Sequence, residues 1–147
     1  LQLARQLYQF LNPLDVLLGD RAFCAYADLV SIKNLECDVV FRKHQSRKTS
    51  MQRGRITGES DKLVIWYKPR KCPQGLSENA FAALPSTLVV REIYYYIIIP
   101  GFRTQQISLI TTLLDAKIYP TLELVRLYGL RWDVEVNLKH LKSTLGM

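Results

Sequence analysis

Residues 119–145 read YPTLELVRLYGLRWDVEVNLKHLKSTL, the longest helical pattern in the chain. Pro120 suits a first helical turn, and Glu123 meets the positive end of the helix dipole. At about 100° per residue, Leu127, Leu130, Val134, Leu138, Leu141 and Leu145 fall within an arc of roughly 80°, the expected core face. Beside it, within roughly 40°, lie Tyr128, Arg131, Glu135 and Lys142, bordered by Trp132 and Lys139. That edge has two readings. Arg131 and Glu135 can be an ordinary i,i+4 ion pair on a solvated face. Alternatively, an acid flanked by bases and an aromatic can sit over a metal–phosphate site: the glutamate binds metal, Arg131 and Lys142 hold phosphates, and Tyr128 stacks or hydrogen-bonds.

Upstream, the apolar spacing of Leu3, Leu7, Phe10 and Leu11 predicts a helix over Leu1 to Leu11, ended by Asn12-Pro13. Val16-Leu17-Leu18, closed by Gly19, predicts a buried strand with Asp20 just past its end. Ala22 to Asn34 is helical in pattern, and Asp38 to Phe41 is a second strand. Leu63 to Lys68 is a strand candidate and Leu76 to Leu84 a short helix. Leu88 to Ile99, rich in Val, Ile and Tyr, is strand, and Ile107 to Leu114 returns as its hairpin partner. The order predicts an α/β (α+β) fold: a mixed sheet with a β-rich insertion at about 42–104, between core segments 1–41 and 105–147.

The 147 residues suffice for one domain with a core, and a hydrophobic content of 48% excludes a disordered tail. The formal charge of +7 favours a polyanionic partner, without separating DNA from RNA or anionic lipid. Between Arg42 and Arg55 the sequence carries Arg42, Lys43, Arg47, Lys48, Arg53 and Arg55 and no acid, which suits either a solvated loop or contact with a nucleic-acid backbone. Cys24, Cys37 and Cys72 lack zinc spacing and read as reduced, mostly buried thiols of a cytosolic protein. No stretch has the length and apolarity of a signal peptide or membrane span. Asp28, Asp38 and Asp115 read as surface or capping residues, Tyr94, Tyr95 and Tyr96 as sheet packing, and Trp66 as core or sheet. His44 and His140 have no evident partner in the sequence pattern.

Tyr128-x2-Arg131-x3-Glu135-x6-Lys142 resembles the signature of a large family of bacterial insertion-sequence transposases, which carry a DDE catalytic triad on a ribonuclease-H-like fold. Val16-Leu-Leu-Gly-Asp20-Arg21-Ala-Phe resembles the strand and turn that deliver the family's second catalytic aspartate. Phe41 to Lys48 resembles the opening of the β-rich insertion, and Pro100 to Thr104 and Thr111 to Asp115 its return to the core. The similarity covers essentially the whole chain. It implies Asp20 and Glu135 as catalytic metal ligands for Mg²⁺ or Mn²⁺, with Tyr128, Arg131 and Lys142 on transposon-end DNA near the cleaved phosphate. Trp132, Lys139, Arg42, Lys43, Arg47 and Lys48 are further DNA-binding candidates. The resemblance also implies a homodimer in the full-length enzyme, acting in the bacterial cytoplasm at the nucleoid, with no membrane.

Three departures shape the expectations. The family's first aspartate belongs on a strand upstream of Leu1, and Asp15 is too close to Asp20 to replace it. The usual N-terminal DNA-binding region is also absent. The chain is therefore expected to be a fragment, inactive in strand cleavage, with an exposed sheet edge. Gly129 follows the signature tyrosine, at a helical cost of about 1 kcal/mol relative to alanine. The alternatives are a DNA-binding remnant without catalysis, a module binding a partner helix through Leu127, Val134 and Leu141, or a different two-metal nuclease.

Overall fold

The computed structural model describes residues 2–44, 55–56, 60–97 and 104–144; at Gln2, Ile56, Trp132, Asp133 and 135–144 it describes backbone alone. Four helices, α1 (Gln2–Leu7), α2 (Tyr26–Asn34), α3 (Glu78–Ala82) and α4 (Thr121–Thr144), surround six strands. The strands are β1 (Val16–Gly19), β2 (Asp38–Arg42), β3 (Arg55–Ile56), β4 (Asp61–Tyr67), β5 (Thr87–Ile97) and β6 (Gln105–Thr111). They form one sheet in the order β1-β2-β6-β5-β4-β3. β1 and β2 are parallel, with Gly19 opposite Phe41, and every other pairing is antiparallel. This is the expected α+β fold with a mixed sheet. The strands between residues 55 and 97 extend that sheet outward from β6.

Alternation along the strands sorts side chains into two layers. Val39 and Phe41 of β2 join Val64, Trp66, Val90 and Ile110 beneath α2, whose Tyr26, Leu29, Val30 and Ile32 are buried. Val40, between them in sequence, points to the other face. There it meets Ile93, Ile107, Leu109 and Leu113 and the Leu124 and Tyr128 side chains of α4. Two helical layers thus cover opposite faces of the sheet.

The boundaries follow local chemistry. Pro13 and Leu14 make the turn into β1; Leu14 takes φ 73° and its N–H bonds the Glu36 carbonyl at 2.9 Å. The helical pattern from Ala22 resolves into a 3-10 turn over Arg21–Phe23 followed by α2 from Tyr26. β6 ends at Thr111, before the expected Leu114; Thr112 Oγ accepts from Val39 N–H at 3.1 Å and donates to Asp38 at 2.6 Å, leaving the ladder to join β2 by its side chain. Asp115 accepts from the N–H groups of Lys117 and Ile118 in the turn before α4, as a capping residue does.

Two expectations need correction. Asp28 is buried, held by both Nε (2.7 Å) and Nη2 (3.1 Å) of Arg5, with the Tyr8 hydroxyl donating to it at 3.3 Å. It fastens α1 to α2 through partners twenty or more residues away in sequence, so local pattern does not mark it. On α4, Leu130 and Val134, expected in the core, are 56% and 58% exposed. The sheet-facing stripe runs through Leu124 and Tyr128 instead, with Leu127 partly buried beside it. The tyrosine edge is thus the inner face of α4, because a phenol ring supplies as much apolar surface as leucine.

Candidate active site

β1 and β2 end together because they are parallel, and open mixed sheets present ligands at the carboxyl ends of such strands. Gly19 closes β1 under the Phe41 ring. A Cβ at Gly19 would lie 2.8 Å from two Phe41 ring carbons and 3.3 Å from Phe23 Cβ. The missing side chain lets the two strand ends pack closely and sets the position of the next residue.

That residue is Asp20. Its backbone is extended (φ −78°, ψ 173°) and its carbonyl accepts from Phe23 N–H at 3.0 Å, starting the 3-10 turn. An aspartate there would ordinarily cap the turn with its side chain. Asp20 makes no such bond, and its Oδ1 is buried without a hydrogen-bond partner among the described residues. A buried carboxylate oxygen left so costs free energy unless something binds it. A turn-capping role therefore does not account for Asp20.

α4 brings its inner stripe against this end of the sheet. Tyr128 is 1% exposed, and its phenol is raised from the ordinary range chiefly by burial, with the charge of Asp20 adding to the effect and Arg131 opposing it. The hydroxyl therefore lies in the fields of both Asp20 and Arg131. The Arg131 guanidinium carbon stands 5.3 Å from the centroid of the Tyr128 ring, a cation–π contact that fixes the side chain's direction. Tyr95 of β5 packs against the same cluster; burial raises its phenol, Tyr128 adds to this, and Arg42 and Arg131 oppose it. Arg42, at the end of β2, and Arg131, on α4, thus both face Tyr95.

Asp20, Tyr128, Arg131 and Arg42 are brought together from three elements. Tyr95 was expected only as sheet packing. Its signal was present in β5: it shares the face of Arg91 and Ile93, four and two residues earlier, which meets α4. Lys43 is 12% exposed and pairs with the buried Glu92, which matches its charge within the fold. Glu135, Trp132, Lys139 and Lys142 lie on the backbone of α4, and their side chains are outside the described residues. By helical count Glu135 continues the stripe of Leu124, Tyr128 and Arg131. Arg47 and Lys48 lie outside the described residues. Among the described residues the three cysteines form no disulfide, and Cys24 and Cys37 are buried. Among the described residues no three His, Cys, Asp or Glu side chains cluster as a metal site, and no helix is long and apolar enough to cross a membrane.

An acid at a parallel strand end, under a basic and aromatic helix edge, defines an α+β domain of ribonuclease-H-like type with a site suited to phosphate chemistry. The chain belongs to the family described as Transposase DDE domain, whose model matches residues 1–147. Neither the curated proteins nor the solved structures include a match to it. The family's members are transposases: they bind DNA and generally use a divalent metal. The donor chemistry here fits such an ion, since carboxylate oxygen suits a hard cation and the buried Oδ1 of Asp20 has no partner among the described residues.

Proposed function

We propose that this chain carries a phosphoryl-transfer site of a DNA transposase, with Asp20 and Glu135 as the carboxylates that hold Mg²⁺ or Mn²⁺. The observation that supports the reading most is the buried Oδ1 of Asp20 at the carboxyl end of β1, without a partner among the described residues, in the fields of Tyr128 and Arg131. When bound, the metal would activate a water or a 3′-hydroxyl and stabilise the leaving oxygen of the cleaved phosphodiester.

The remaining work falls to side chains of this chain. Arg131 presents a planar fork that suits two phosphate oxygens, and its contact with the Tyr128 ring limits the directions it can take. Tyr128 fills the space between helix and sheet, which holds α4 at a fixed height over Asp20. Arg42 extends the positive field across the strand ends; by helical count Lys139 and Lys142 would carry it further along α4, and Trp132 would border the same edge. Arg47 and Lys48 would add contacts with the DNA backbone. The net charge of +7 draws in the strand, so affinity should fall steeply with salt. The family resemblance implies a third carboxylate; with Asp20 and Glu135 alone, we expect the 147-residue polypeptide to bind DNA without cutting it, and the complete enzyme to act as a homodimer.

The test pairs two assays on the 147-residue chain: fluorescence anisotropy with duplex DNA across a salt series, and Mg²⁺-dependent nicking of a supercoiled plasmid carrying the element's ends. Salt-dependent binding weakened at least threefold by Arg131→Ala supports the assignment. Binding indifferent to salt and to Arg131→Ala would sink it. Nicking that disappears in Asp20→Asn would uphold the site and overturn the expected inactivity.

A further inference from the structure

The start of α4 is gripped by a buried ion pair. Arg91 of β5 is fully buried, and Asp61 of β4 is 5% exposed. The two strands pair with Arg91 opposite Leu63, which puts Asp61 diagonally across from Arg91 on the same face of the sheet. Arg91 Nε donates to Asp61 Oδ2 at 2.8 Å, and Arg91 Nη2 bonds the same oxygen. Arg91 Nη1 donates to the Tyr119 carbonyl at 2.6 Å, and Nη2 donates to Thr121 Oγ at 2.8 Å. Thr121 Oγ in turn donates to Asp61 Oδ2 at 2.7 Å. Tyr119 and Thr121 flank Pro120, whose carbonyl accepts the first helical N–H bonds of α4.

We propose that Asp61 and Arg91 are positioning residues of the transposase site, clamping the first turn of α4 so that its inner stripe lies over Asp20. A buried ion pair adds little net stability compared with apolar residues of the same volume, whereas its fixed bond directions constrain geometry. Here every bond from Arg91 to the helix ends within one residue of Pro120. Thr121 is seven residues from Tyr128 and fourteen from Glu135, or about 10 Å and about 21 Å along the axis. A tilt of about 5° at the clamp would carry Glu135 by about 2 Å. Catalytic groups tolerate far less, since a displacement of about 1 Å costs on the order of a hundredfold in rate. The carboxylate also lies at the positive end of a 24-residue helix, where an anion is favoured. The consequence for chemistry rests on Asp20 and Glu135 being metal ligands; the clamp itself is tested without them.

The experiment uses the 147-residue chain with Thr121→Val, Thr121→Ser and Asp61→Asn, and Asp28→Asn as a destabilised control on the opposite face. NMR chemical shifts of the Tyr128 ring and of the Gly19 and Asp20 amides report the seating of α4, and Mn²⁺ affinity reports the site. Thr121→Val is expected to move the Tyr128, Gly19 and Asp20 signals and to weaken Mn²⁺ at least threefold. Thr121→Ser should restore both, and Asp61→Asn should exceed Thr121→Val. Asp28→Asn should lower Tm yet leave those signals in place. Shifts confined to the neighbours of residues 61, 91 and 121 would overturn the clamp, as would equal shifts in Asp28→Asn. Should Tyr128 move as expected while wild-type Mn²⁺ binding ignores Asp20→Asn, the clamp stands and the metal assignment falls.

Discussion

At the scale of single residues, the site depends on one missing side chain and one unspent oxygen. Gly19 has no Cβ where the ring of Phe41, itself fully buried, already stands at 2.8 Å. Gly19→Ala is therefore expected to destabilise the fold by about 1–3 kcal/mol, as overpacking does, and to displace Asp20 along with Phe41. Urea unfolding reads the first effect, and an unchanged midpoint would contradict it. Gly129 behaves oppositely. Among the described residues nothing lies within 4 Å of a Cβ built there, so Gly129→Ala should raise stability by about 1 kcal/mol, the ordinary helical difference between the two residues. A loss of stability would mean that the glycine is needed for the path of α4.

At the scale of elements, strands and helices were legible where one periodicity ruled. Val16 to Gly19, Asp38 to Phe41 and the Tyr-rich run of β5 read correctly because burial on two faces leaves only a strand. The existence of α4 was equally plain. Its orientation was not, because two stripes were plausible: Leu127, Leu130 and Val134, and the mixed stripe of Leu124, Tyr128 and Arg131. Counting hydrophobic residues favours the first; the structure buries the second, since Tyr128 offers both an apolar ring and a polar tip facing Asp20. Asp20 itself was marked by its place after a glycine-ended strand and by family resemblance. Asp61 and Arg91 were illegible, being joined only by the register of β4 and β5. Asp28 was hidden in the same way, its partner Arg5 lying on another helix.

At the scale of the molecule, the sheet is wrapped on both faces, and several tyrosines are buried with their hydroxyls inside. Burial first, and then the charge of Asp28, raises Tyr8 far above its ordinary value of 10.0. Burial also raises Tyr26, Tyr95 and Tyr128. Each is protonated in the folded chain at a pH where the unfolded chain has begun to ionise. Below pH 10.0 their contribution is fully present; as pH rises from there toward the raised folded values, the unfolded state binds fewer protons and stability falls. The urea midpoint should hold between pH 8 and about 9.5 and decline above pH 10, with a shallower decline in Tyr8→Phe. A flat profile to pH 11 would contradict the burial of these groups. Leu3, Leu7, Phe10 and Leu14 are exposed. Leu7 is also one wall of an apolar cavity of about 250 Å³ lined by Tyr8, Leu17, Phe23 and Phe41. That surface makes low solubility of the isolated chain an expected property.

On the proposed reading, Asp20 and Glu135 together hold a divalent cation. The most direct test is paramagnetic broadening of amide signals on titrating Mn²⁺ into the 147-residue chain. Broadening is expected to centre on residues 19–21 and on α4 around Glu135, to be competed by Mg²⁺ and to be lost in both Asp20→Asn and Glu135→Gln. Broadening centred elsewhere, or undiminished in either variant, would contradict it.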